Sequence, residues 1–191
     1  PNDPTALLTT GRELADLLQA TNSEVEFYVT ATWSRPDLTY GDGSPWSGKT
    51  IYIMGSDVDA AYDRLAAEVP GVKAVNPVGE AFNRAIRAGV ADSNPYDGID
   101  ADTIDLWTYD HYHASSYGYY LEALVVFGNV TGVDPLVLGR AECSGFELGM
   151  SGAQVEALLQ VAHDELAASG VHLHTPSGLT MPTRPSTCAA P

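Results

Sequence analysis

Glu24-Val25-Glu26-Phe27-Tyr28-Val29-Thr30-Ala31-Thr32-Trp33 is the stretch that decides the fold class. It is rich in β-branched and aromatic residues and holds neither Gly nor Pro, so it reads as a strand. Upstream, Asp3 before Pro4 starts a helix: the carboxylate caps, and proline fills the first helical position. Leu7, Leu8, Leu14, Leu17 and Leu18 then share one helical face, and the helix should end near Ala20. Downstream, residues 34 to about 50 form a loop with three glycines and two prolines. Loops of that length are often functional. Ser56-Asp57-Val58-Asp59 opens a second helix that runs to about Val69 and breaks at Pro70-Gly71. The apolar run from Val72 to Val78 is a short buried strand.

Three more helices follow. One spans about Glu80 to Ala88 and is closed by Gly89. One begins at Ser115 or Ser116, carries Leu121, Leu124, Val125 and Phe127, and ends before Gly132. The third opens on the capping box Ser151-Gly152-Ala153-Gln154 and turns Val155, Leu158, Leu159, Ala162 and Leu166 inward, stopping at Gly170. Residues 171–191 read as a Pro/Ser/Thr-rich tail behind a single domain portion, 1–170. Helix, strand, helix, strand and helices spell α/β with parallel crossovers. Two strands are few for a parallel sheet covered on both faces. The first strands of the sheet are therefore expected outside the chain, whose opening Pro1-Asn2-Asp3-Pro4 reads as that of a processed, trimmed or partial product.

Composition narrows the partners. Hydrophobic residues make up 45% of the 191 positions, enough to bury a core, so a fully disordered chain is excluded. Asp and Glu number 25 against 9 Lys and Arg, a net charge of −16 that repels phosphate backbones and anionic membranes. Nucleic acid is thus not expected as a partner, and no apolar run is long enough to span a bilayer. Two cysteines, Cys143 and Cys188, are too few for a disulfide scaffold. Paired, they would staple the tail to the body; unpaired, they are two unrelated thiols.

Reactive side chains are densest from Trp107 to Gly118: Trp-Thr-Tyr-Asp-His-Tyr-His-Ala-Ser-Ser-Tyr-Gly. Asp110 and His113 are three apart, close enough for one tight turn to join them. A carboxylate there would hold the His113 imidazole in one tautomer, as the orienting pair of a Ser-His-Asp triad does. Asp-x-x-His followed by Ala114-Ser115 and a Gly-containing helix start resembles the last conserved block of the SGNH (GDSL-type) hydrolases. The run from Asp110 to Leu124 is similar to a bacterial, exported branch of that superfamily. So are Ala31-Thr32-Trp33-Ser34-Arg35-Pro36-Asp37, Asn76-Pro77-Val78-Gly79-Glu80-Ala81-Phe82 and Asn94-Pro95-Tyr96-Asp97-Gly98-Ile99. Together these segments cover roughly residues 5 to 165.

The resemblance implies a three-layer α/β/α, flavodoxin-like fold on a parallel sheet. It implies ester hydrolysis with no metal or cofactor, in a secreted or periplasmic protein. His113 would be the general base and acid, and Asp110 its orienter. Acetylated polysaccharide, lipid or a small ester would be the substrate class. The family's nucleophile motif, Gly-Asp-Ser or Gly-Asn-Ser after the first strand, does not occur. Nor can the Gly and Asn of its oxyanion hole be placed. The serine is accordingly expected from an N-terminal segment of the same protein or from a second chain.

Other readings compete. Ser44, in Gly41-Asp42-Gly43-Ser44, and Ser34, past the strand end, lack the strand-to-helix elbow of an exposed nucleophile. Trp33 and Arg35 are candidate substrate contacts, or else an aromatic wedge and an ion pair. His111, His113 and Asp110 could instead be metal ligands of a hydrolase; His172 and His174 form a second His-x-His pair. His163 reads as helix packing. Tyr109, Tyr112, Tyr117, Tyr119 and Tyr120 either line a groove for a sugar or an aromatic acyl group or pack the core. A catalytically inactive binding module of the same fold is the non-enzymatic alternative.

Overall fold

A computed structural model describes residues 3–178. The chain divides into two compact units, Pro1–Glu80 and Ala81–Pro191. Its coarse class is α/β.

The first unit is built on a βαβ crossover. Strand β1 (Phe27–Ala31) pairs in parallel with β2 (Val72–Pro77), and these form a two-stranded sheet. The register runs from Phe27 opposite Val72 to Ala31 opposite Pro77, with one irregularity after Phe27. Both strands are shorter than the sequence reading. Three helices belong to this unit: α1 (Thr5–Thr21), α2 (Pro36–Thr39) and α3 (Ile51–Glu68). Helix α3 lies against both strands.

Two sequence expectations fail here. Helix α3 begins at Ile51, not Ser56, and its cap residue Thr50 makes no side-chain capping bond. Burial overrides the capping pattern: Ile51 and Met54 are core residues, and Met54 and Val58 cluster with Trp46 and Ala31. Ser56, inside the helix, turns its hydroxyl to Glu80 Oε1 at 2.5 Å. The other failure is in α1. Its leucine stripe is a contact face only at its N-terminal end: Leu7 and Leu8 pack with buried Ala15 against Leu65 and Val69, while Leu14 and Leu17 are exposed. Small residues let α1 approach α3: a Cβ on Gly11 would stand 2.6 Å from Leu65 Cδ1.

Helix α4 (Val78–Arg87) follows β2 directly and carries the chain from the first unit into the second. The second unit is helical. Helix α5 (Ser116–Thr131) lies on α7 (Gly152–Ala168), with a 3-10 turn at Pro135–Leu138 and the short α6 (Cys143–Glu147) between them in sequence. Local signals set these ends. Ser115 accepts the N–H groups of Tyr117 and Gly118, and Gly132 closes α5 at φ 70°, the left-handed region that favours glycine. Ser151 and Gln154 complete the expected capping box. All five expected apolar positions of α7, Val155 to Leu166, are buried.

Cys143 is disulfide-bonded, while Cys188 lies outside the described residues, as does the tail from residue 179 on. The tail's beginning is held down: His174 donates its N–H to Gly132 O at 2.8 Å, and Asp134 donates to His174 O at 2.9 Å. His163 Nδ1 meets Asp134 Oδ1 at 2.9 Å. Among the described residues, no helix is long and apolar enough to cross a membrane.

Candidate active site

The site lies in the second unit, on the turn between Trp107 and Ala114. Trp107 and Ala114 form an antiparallel bridge, and both are buried. Trp107 meets Phe82 edge to face at 6.1 Å. Below them, Ser115 donates its N–H to Leu106 O at 2.9 Å and its hydroxyl to Asp105 O at 2.7 Å. Gly118 lets the first turn of α5 come this close, because a Cβ there would lie 2.4 Å from Leu106 O. The base of the turn is thereby fixed by burial, and its tip is free to carry polar groups.

At the tip, Thr108 donates its N–H to His113 O at 2.8 Å, and His111 donates to Thr108 O at 2.9 Å. His111 takes φ 54°, the left-handed region, in which His is enriched among non-glycine residues. This bend wraps the backbone around Asp110. Oδ1 of Asp110 accepts the N–H groups of Tyr112 and His113, both at 3.0 Å, and the Thr108 hydroxyl at 2.6 Å. Oδ2 is left for His113 Nδ1, at 2.6 Å. The Thr108 hydroxyl, the His113 ring and the two backbone donors hold the Asp110 carboxyl well below the usual carboxylate range. An ionised carboxylate only accepts, so Nδ1 of His113 is the donor, and in the neutral ring Nε2 is the nitrogen that holds the lone pair. The His113 side chain is 57% exposed, and among the described residues Nε2 makes no hydrogen bond. The arrangement offers an oriented base on an accessible edge.

His111 points elsewhere. Its ring lies on Tyr96, centroids 4.1 Å apart, and its Nδ1 is buried without a hydrogen-bond partner. The metal grouping of His111, His113 and Asp110 does not form: among the described residues, no three His, Cys, Asp or Glu side chains are set to hold a metal ion. His172 and His174 are exposed.

The remaining sequence candidates lie in the first unit. Arg35 forks onto Asp37, Nε to Oδ1 at 3.1 Å and Nη2 to Oδ2 at 2.6 Å, and Trp33 is half-buried. Ser34 is buried, its hydroxyl accepting Gly55 N–H at 2.6 Å. Ser44 Oγ accepts the N–H of Trp46 at 2.9 Å within a turn. Ser34 is thus closed off, and half-buried Ser44 lies in a turn and not at a strand-to-helix elbow.

Two contributors escaped the sequence reading. Thr108 is the first; its hydroxyl two residues before Asp110 is the spacing at which short polar side chains bond locally. Asp92 is the second. It is buried and clamps the following loop by accepting Asn94 N–H at 2.6 Å and Asp100 N–H at 2.7 Å. That loop presents Tyr96 to His111. Comparison of the chain with protein-family models, with curated proteins and with solved structures gave no significant match.

Proposed function

We propose that this chain carries the general-base side of a serine ester hydrolase of SGNH type, with Asp110 orienting His113. One observation carries the reading: the Asp110 Oδ2 to His113 Nδ1 contact at 2.6 Å, with the opposite ring edge open. In the proposed reaction a serine from outside these residues attacks the acyl carbon. Its hydroxyl proton passes to His113 Nε2 as the new C–O bond forms. The tetrahedral intermediate collapses as Nε2 gives that proton to the departing alcohol. Water repeats the sequence on the acyl-serine, releasing the acid and restoring the serine. The two parallel strands and their crossover helix fit one edge of a three-layer α/β/α sheet, and that layered fold is part of the proposal. So is an exported location, with an acyl ester as substrate. Trp33 and Arg35 remain proposed substrate contacts.

The test is labelling of the native protein with a fluorophosphonate, followed by proteolysis and mass spectrometry. The labelled serine should lie on a peptide outside the 191 residues, and labelling should vanish in His113→Ala. Label on Ser34 or Ser44, or labelling indifferent to His113, would overturn the proposal. No label on any serine would favour a non-catalytic binding module.

A further inference from the structure

The turn that carries Asp110 and His113, and the loop whose Tyr96 meets it at His111, display aromatic rings. Tyr109 is 94% exposed, Tyr96 53% and Tyr112 43%. Tyr112 meets the His113 imidazole at a tilt of 39°, centroids 4.3 Å apart, as Tyr96 meets His111 at 50°. Exposed aromatic rings grouped on one part of the surface, unlike scattered ones, mark binding surfaces. These rings are held in place before any ligand arrives. Asp92 clamps the loop bearing Tyr96, where Asn94 Nδ2 also bonds Asp97 Oδ2 at 2.7 Å. The Asp110 network fixes the turn bearing Tyr109 and Tyr112. Tyrosine offers wide contact at small cost in side-chain entropy, and more so on a fixed backbone.

Charge selects the ligand. From Ala88 to Gly139 the chain has no Lys or Arg, while Asp92, Asp97, Asp100, Asp102, Asp105 and Asp110 fall in the same stretch. Phosphate head groups and uronates would be repelled. A neutral sugar ring satisfies both features: its C–H face covers a tyrosine ring, and its hydroxyls donate to carboxylates.

We propose that Tyr96, Tyr109 and Tyr112 form a binding platform for neutral, uncharged glycan, and that the ester presented to His113 is an acyl group on such a sugar. The substrate assignment rests on the hydrolase reading above; the binding of glycan does not.

The experiment separates the two. The 191-residue chain is titrated calorimetrically with a panel of neutral, fully de-esterified gluco-, xylo-, manno- and chito-oligosaccharides, which no esterase can turn over. Oligogalacturonate and phosphatidylcholine vesicles serve as the anionic and lipid arms. At least one neutral series should bind saturably. Tyr96→Ala and Tyr112→Ala should each weaken it by about three- to tenfold, the range expected for loss of one stacked ring. Tyr40→Ala, an exposed tyrosine of the first unit, should not change it. Binding with no fluorophosphonate-reactive serine in the native protein would leave the platform standing and remove only the hydrolase. Absence of binding by every neutral series overturns the platform. So do Tyr variants that bind as the parent does, and preference for the anionic or lipid arm.

Discussion

His113 Nδ1 stands 2.6 Å from Oδ2 of Asp110, and the other oxygen of that carboxylate is filled by three donors from its own turn. The carboxylate therefore cannot swing away from the imidazole without breaking several bonds at once. Orientation of the ring is built into a short turn and does not depend on a distant partner.

Removing either member should stop proton transfer while leaving the fold intact, because both side chains lie on the surface side of the turn. In an assay of the native protein on a short-chain ester, His113→Ala and Asp110→Asn should each lower kcat by about two to four orders of magnitude. Circular dichroism should be unchanged. Equal rates in parent and variants would contradict the assigned roles.

Thr108→Val keeps the shape of the side chain and deletes only the hydroxyl that meets Asp110 at 2.6 Å. The Asp110 carboxyl should then titrate higher, since the Thr108 hydroxyl is the largest of the influences that hold it down. A carbon-detected NMR titration of the Asp110 carboxyl reads this directly. A titration unchanged by the substitution would remove Thr108 from the network.

Acid should loosen the turn at a defined point. The Asp110 carboxyl is depressed in the folded protein below its ordinary value of 3.8. Its stabilising contribution is complete above that value and is lost as pH falls further, because the unfolded chain then takes up the proton first. The stability difference between parent and Asp110→Asn should shrink as pH falls below about 4. Urea unfolding of both proteins across that range measures it. A difference that grew below about pH 4 would reverse the sign and refute the argument.

The helical unit has a second sensitive contact. Arg84 Nε reaches Glu165 Oε2 at 2.7 Å, and Ser169 donates to the other oxygen at 3.1 Å. Glu165 is 6% exposed. Arg84→Ala would leave that carboxylate buried without its cation and should cost about 2 to 4 kcal/mol in urea unfolding. Arg84→Met with Glu165→Leu should recover much of this loss, since paired removal leaves no buried charge. A double variant no better than the single one would place the cost in packing instead.

Legibility in the sequence followed the range of the interactions. The ends of α5 and α7 were readable because Ser115, Gly132, Ser151 and Gln154 act within one helical turn. Asp110 and His113 were readable for the same reason: their contact spans three residues. The start of α3 was not, because burial of Ile51, and of Met54 in a cluster with Trp46, outweighs the capping pattern at Ser56. The contact face of α1 was legible only in part, because Leu7 and Leu8 meet the α3 cluster as the stripe implies, but Gly11 and Ala15 carry the rest of the contact and Leu14 and Leu17 stay exposed. Asp92 was invisible as a clamp, since its partner Asp100 lies eight residues away across an irregular loop. The parallel pairing of β1 and β2 was implied by the helix between them, but the irregularity after Phe27 had no sequence signal.

The most direct test of the account is the tautomer of His113, read by long-range nitrogen–proton NMR on the nitrogen-labelled chain above the imidazole titration. The account predicts a proton on Nδ1, engaged by Asp110, and a bare Nε2 able to take a proton from an incoming hydroxyl. A ring protonated on Nε2 would leave no base on the open edge and would contradict the assignment of His113 as the proton acceptor.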